Sequence, residues 1–97
     1  MNLNKTYWVY ILLCVNGAYY TGYTTDLKRR FAEHLAGTAK CKYTRSFKPI
    51  KIAQSWEVND LRVAQHLERY IKKLNKRDKE RLITLPELLP MKDDIVC

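Results

Sequence analysis

Ninety-seven residues, 46% of them hydrophobic, make one small α+β domain over 1–97, with a core expected over about 7–82 and a tail over 83–97. Eighteen Lys and Arg against ten Asp and Glu leave a net charge of +8, which points to a polyanion, nucleic acid ahead of an acidic membrane surface or an acidic protein. Cys14, Cys41 and Cys97 are too widely spaced for a disulfide framework or paired zinc ligands and read as reduced thiols of a cytoplasmic protein, and no apolar run approaches the length of a membrane span.

The first two elements are strands. Tyr7 to Val15 and Ala18 to Tyr23 are rich in aromatic and β-branched residues and flank Asn16-Gly17, a turn signal, so the N-terminal quarter is predicted to be a β-hairpin. Its register decides where two tyrosines point. A two-residue loop puts Tyr10 and Tyr20 on opposite faces, because side chains alternate along a strand. A three-residue loop, Val15-Asn16-Gly17, with Gly17 left-handed as a bulge, pairs Leu12 with Tyr20 and Tyr10 with Gly22, and both phenols share one face. We favour the bulged form, since Gly22 opposite Tyr10 leaves space beside the phenol.

Thr25 is a candidate cap for a helix from Asp26 to about Ala36, ended by Gly37, with Leu27, Phe31 and Leu35 as its buried stripe. At 100° per residue Arg30 and His34 fall about 60° and 20° from Leu27, on the border of that stripe. Residues 37–49 read as a basic loop: no acid lies between Glu33 and Glu57, an interval carrying Lys40, Lys42, Arg45, Lys48 and Lys51. Ile50 to Glu57 is a third strand, and Asn59 or Asp60 caps a helix from Leu61 to Leu74 with Val63, Ala64, Leu67, Ile71 and Leu74 inward and Glu68 beside them. A short helix over Arg77 to Leu82 follows, and Pro86 and Pro90 break up the tail. The result is a three-stranded antiparallel sheet flanked by helices, in the order β-β-α-β-α-(α).

Five side chains carry the chemistry of a phosphodiesterase. Such an enzyme needs an activated water, charge stabilisation on the non-bridging oxygens and help for the leaving oxygen. Glu68 is the best metal ligand, because magnesium keeps several waters and accepts one carboxylate plus substrate oxygens; the plainer reading is a surface pair with Lys72 at i+4, worth about 0.3–0.5 kcal/mol. Arg30 offers a planar, always charged fork for phosphate, and His34, one turn on, can relay a proton or hydrogen-bond a phosphate. Tyrosine is a poor base until neighbouring cations favour its phenolate, about 0.1% of the free group at pH 7.

In this order the residues resemble the GIY-YIG nucleases, in particular small stand-alone bacterial members, over about Tyr7 to Leu82. Val9-Tyr10-Ile11-Leu12 is similar to the first family motif and Tyr20-Thr21-Gly22 to the second, while Thr24, Leu27, Arg30 and His34 continue the pattern into the first helix. Glu68 matches the metal-binding glutamate, and Tyr43-Thr44-Arg45 and Pro49 resemble marks of the stand-alone subgroup. Trp8 stands where the family has glycine, Val9 and Thr21 where it has isoleucine, and a bulky Trp8 is expected to narrow that end of the groove. The resemblance implies one divalent ion, Mg²⁺ or Mn²⁺, on Glu68, Arg30 at the scissile phosphate, and a tyrosine as general base; the choice between Tyr10 and Tyr20 is open, and His34 shares the role.

The expected function is a metal-dependent endonuclease acting on DNA, structured or single-stranded DNA included, ahead of RNA, with little sequence preference, since the contacts on offer are chiefly to phosphate. Tyr10, Tyr20, Arg30, His34 and Glu68 are the catalytic set, and Gly22, Thr24, Lys40, Lys42, Tyr43, Thr44, Arg45 and Lys48 the nucleic-acid surface. A monomer or weak dimer is expected, with any further specificity coming from a protein partner. A role in DNA repair rests on fold kinship alone. The alternative is a nucleic-acid-binding module that keeps the nuclease fold without the chemistry and uses its basic loop and aromatics to hold single strands or structured junctions.

Overall fold

Asn16 and Gly17 set the hairpin on which the molecule is built. In the computed structural model, which describes residues 5–38 and 42–90, β1 (Tyr7–Cys14) and β2 (Tyr19–Thr24) are antiparallel, with Tyr10 opposite Gly22 and Leu12 opposite Tyr20. Gly17 has φ +82°, donates its N–H to the Cys14 carbonyl at 2.8 Å, and lies beside the Cys14 N–H to Ala18 carbonyl bond that closes the turn. The bulged register therefore holds, and both phenols project from one face.

β1 is the central strand: β3 (Pro49–Val58) pairs antiparallel along its other side, giving the order β2-β1-β3. Alternation sends Val9 and Ile11 to one face, where they pack with Trp56, Val58 and the inward stripe of α3 (Leu61–Lys73), namely Val63, Ala64, Leu67 and Ile71. Tyr10 and Leu12 are equally buried on the other face, where α1 (Leu27–Ala36) reaches Tyr10 through His34 and α2 (Lys42–Ser46) packs against α1. The sheet is thus covered on both sides.

Several local details differ from the sequence reading. Asp26, not Thr25, caps α1, its carboxylate accepting from the Arg29 N–H at 3.0 Å. Leu35 is exposed and His34 takes the inward place, so the packed face of α1 runs through Leu27, Arg30, Phe31 and His34. Part of the expected basic loop is helical, as α2. Asp60 caps α3, and α4 (Lys76–Thr84), capped by Asn75, is longer than the expected Arg77 to Leu82. Beyond Leu82 a 3-10 turn, Pro86–Leu88, carries Leu89 into the core, and the Trp56 indole N–H donates to the Pro86 carbonyl at 2.9 Å.

The position of the second motif's missing isoleucine carries a cost. Thr21 is almost wholly buried on the α3 face of β2, and its hydroxyl has no hydrogen-bond partner among the described residues. An orphan hydroxyl loses its hydration without return, whereas valine has the same shape and nothing to satisfy. Thr21→Val is expected to raise stability by about 1 kcal/mol, seen as a melting temperature some 4 °C or more higher in calorimetry. An unchanged or lower melting temperature would count against an unsatisfied hydroxyl.

Candidate active site

The site is assembled around His34. One ring nitrogen, Nε2, lies 2.9 Å from the Tyr10 hydroxyl, and the other, Nδ1, 2.7 Å from the Thr44 hydroxyl. The helix α1 brings the imidazole down onto the sheet, β1 supplies the phenol beneath it, and α2 closes from the side with Thr44. All three side chains are essentially inaccessible to solvent. The Tyr20 ring, from the adjacent strand, meets the imidazole edge-on with centroids 5.0 Å apart, and Tyr20 remains half-buried at the rim.

Burial, and then the positive charge of Arg30, push the His34 pKa down from 6.5 to about 4, with Glu33 pulling weakly the other way. The imidazole is therefore neutral at pH 7, so one nitrogen donates and the other accepts; hydroxyl groups on both sides can serve either tautomer. Because both nitrogens are occupied, His34 has none left to offer a phosphate, which corrects one of its expected roles.

This arrangement has a consequence for stability. The folded pKa lies below the unfolded one, so between pH 6.5 and about 4 the unfolded chain binds a proton that the folded chain refuses, and stability falls as pH drops through that window. The residue's contribution is about 3 kcal/mol, fully present above pH 6.5. Urea unfolding at pH 7.5 and 4.5 is expected to show wild type losing that much more than His34→Asn. Equal losses in the two proteins would mean that His34 does not titrate in this way.

Arg30 lies beside this cluster, one-fifth exposed, and one of its five donors goes to Glu33 at 2.9 Å. Gly22 is in closest contact with Tyr10: a Cβ placed there would lie 2.6 Å from the phenol oxygen. The expected open space is filled by the phenol itself. Three members of the expected nucleic-acid surface thus have internal work instead. Gly22 makes room for Tyr10. Thr24 is buried, its hydroxyl accepting from the Asp26 N–H in the turn before α1. Thr44, fully buried, holds His34.

Tyr43, Arg45 and Lys48 do lie at the surface, although the Lys48 ammonium donates to the Leu35 carbonyl at the end of α1. Lys40 lies outside the described residues, and Lys42 is described only as the first residue of α2.

Glu68 stands apart from the other four. It is carried by α3, on the opposite face of the sheet, and its ion pair is with Lys72 at 3.2 Å. Gln65, three residues earlier on the same side of the helix, donates to the Tyr23 hydroxyl at 3.2 Å, so this side of α3 faces the edge strand β2. That strand is the seam between the two halves of the set, with Tyr20 on one face and the Glu68 side of α3 reaching it from the other.

The chain is similar to known proteins over most of its length. Residues 6–81 match the model of the GIY-YIG catalytic domain. The chain belongs to the GIY-YIG family. It is 40% identical over 79 residues to the UPF0213 protein BH0048 of Halalkalibacterium halodurans, covering 81% of this chain and 83% of that one. It is 43% identical over 74 residues to the UPF0213 protein VNG_2274C of Halobacterium salinarum, covering 76% and 95%. The solution NMR structure of the UPF0213 protein BH0048 from Bacillus halodurans superposes with a TM-score of 0.54 at 40% identity, over 82% of this chain and 84% of that one.

Within this GIY-YIG domain, Trp8 is half-buried on the Tyr10 face, opposite Thr24 and Glu57. Among the described residues no three of His, Cys, Asp and Glu come together, so Glu68 offers a single hard oxygen ligand. A lone carboxylate of this kind could hold Mg²⁺ or Mn²⁺ only with water and substrate oxygens completing the shell. No described helix is long and apolar enough to cross a membrane.

Sequence reasoning missed Thr44 as the holder of His34, Asn16 as the donor to the Tyr43 hydroxyl at 3.2 Å, and Phe47 as that tyrosine's neighbour. The i, i+4 spacing of Tyr43 and Phe47 was the available signal for a helical turn there.

Proposed function

We infer that this GIY-YIG protein is a metal-dependent endonuclease that hydrolyses phosphodiester bonds of DNA with little sequence preference. The observation that carries the reading is the meeting of Tyr20, His34 and the Arg30 charge on one sheet face, beside a surface with no acid between Glu33 and Glu57. Arg30 supplies the fork for non-bridging oxygens. Tyr20, at the rim, is the phenol that can reach an attacking water, whereas Tyr10 is sealed beneath His34 and acts as a positioning residue. The Tyr10–His34–Thr44 chain is a neutral, hydrogen-bonded support that fixes the Tyr20 ring edge-on. A divalent ion held by Glu68 would, when bound, supply positive charge against the phosphate.

A second reading has one observation in its favour. The Glu68 carboxylate is paired with Lys72 and not bonded to the other four, as expected of a nucleic-acid-binding module that keeps the fold without the reaction. The two separate in a nicking assay on supercoiled plasmid, a flap or junction, and RNA. The endonuclease is expected to nick DNA with Mg²⁺ or Mn²⁺ and to stop on addition of EDTA. If all substrates stay intact at every protein concentration with either metal, the binding module is the better account.

A further inference from the structure

Two large aromatic rings beside the site lie outside the core cluster. Tyr43 and Phe47 are 38% and 39% exposed, and they lie on one helical turn, with the Phe47 N–H bonded to the Tyr43 carbonyl at 3.0 Å. Their centroids are 5.2 Å apart. Tyr43 in turn lies nearly parallel to Tyr20, at 6.0 Å and 22°, so ring follows ring from the rim of the site outward. The step is rigidly referenced to the chemistry. Asn16 holds the Tyr43 hydroxyl, and Thr44, between the two aromatics in sequence, is locked on His34.

The surroundings select the occupant. Arg45 and Lys48 are exposed on the same segment, which has no acidic residue from 34 to 56, so the surface favours an anion with flat apolar faces. A nucleic acid strand is such a ligand. In a duplex the base faces are covered by their neighbours, whereas unpaired bases can stack on exposed aromatic rings.

We propose that Tyr43 and Phe47 form a stacking shelf for an unpaired nucleobase next to the phosphate presented to Tyr20 and Arg30, so that the preferred substrates are nucleic acids with unpaired residues at the cleavage point. The proposal rests on the endonuclease reading for the position of that phosphate, but its binding half stands without cleavage.

The test is fluorescence anisotropy in EDTA at fixed ionic strength, using a labelled single strand, the same strand carrying abasic positions, and the corresponding duplex. Phe47→Ala is expected to weaken single-strand binding about tenfold, since stacking contributes about 1–3 kcal/mol per base and 1.4 kcal/mol is tenfold. Duplex binding should change less, and Phe47→Trp should keep the single-strand affinity. Abasic replacement should weaken wild type by a clearly larger factor than it weakens Phe47→Ala, which keeps only the Tyr43 ring.

The shelf is overturned if abasic replacement weakens both proteins by the same factor, if the single-strand to duplex ratio is unchanged in Phe47→Ala, or if wild type binds neither form. Because no metal is present, absence of nicking elsewhere removes the endonuclease reading and leaves this result standing. Nicking with no Phe47 effect removes the shelf alone. Matching thermal melts of the variants and wild type keep a folding defect from imitating the result.

Discussion

Glu68→Gln is expected to lower metal-dependent nicking by about a thousandfold while leaving the melting temperature within a degree or so of wild type. The two halves of that result come from different interactions. The structural partner of the carboxylate is Lys72, at 3.2 Å with the lysine half-exposed, and a pair of this kind is worth only about 0.3–0.5 kcal/mol. Its loss should scarcely register in folding. The proposed chemical role is as the one hard oxygen ligand on the β2 side of α3, and charge stabilisation by a bound cation is worth several kcal/mol at the transition state, where about 4 kcal/mol is a thousandfold. Glutamine keeps the shape and removes the charge. Single-turnover nicking over a range of Mg²⁺ and Mn²⁺ concentrations, alongside calorimetry, reads both. If nicking is unchanged, Glu68 is the ordinary partner of Lys72 and nothing more.

The sheet was legible because few residues determine it. Asn16-Gly17 places the turn, and the choice of a bulge over a two-residue loop follows from asking which register lets Tyr10 face a glycine; the structure has that register. Helix α3 was equally readable, since its apolar positions repeat over three turns and Asp60 marks its start. What escaped was decided at long range. His34 and Leu35 are adjacent, both near the edge of the stripe, and hydrophobicity favours the leucine. The histidine goes inward because Tyr10, 24 residues away, and Thr44, ten residues away, satisfy both ring nitrogens, which no local window records.

The same argument explains the basic segment. Over five residues α2 shows too little apolar periodicity to distinguish it from a loop, and its anchor is Thr44, a residue type that sequence reasoning assigns to the surface. Leu89 hides behind Pro86, where a chain break is the natural reading. Glu68 illustrates a further limit. Spacing along a helix puts the carboxylate at the margin of the buried face, but whether that margin meets the phenols depends on how the helix crosses the sheet. The Gln65 to Tyr23 hydrogen bond turns that margin toward β2 while leaving the carboxylate on Lys72.

Gly22→Ala is expected to disable the site from beneath, because the added methyl enters space already occupied by Tyr10. The new Cβ would lie 2.6 Å from the phenol oxygen and 2.8 Å from the ring carbon that bears it, both inside van der Waals contact. Usually the tip of a side chain can swing away from such a clash. Here it cannot, since Tyr10 is only 1% exposed on the central strand and its hydroxyl is bonded to a fully buried His34. Either the phenol leaves His34, stranding a buried ring nitrogen, or β2 shifts and carries Tyr20 with it. The expected loss is about 1–3 kcal/mol of stability, with nicking reduced far more than the population of folded protein would explain. Backbone strain is not involved, as Gly22 is not among the glycines with positive φ. A steric origin predicts that shortening the partner relieves the clash: Tyr10→Leu with Gly22→Ala should be less destabilised than the sum of the single variants, by 0.5 kcal/mol or more on the order of contact-pair couplings. Strict additivity in urea denaturation would place the effect of Gly22 elsewhere.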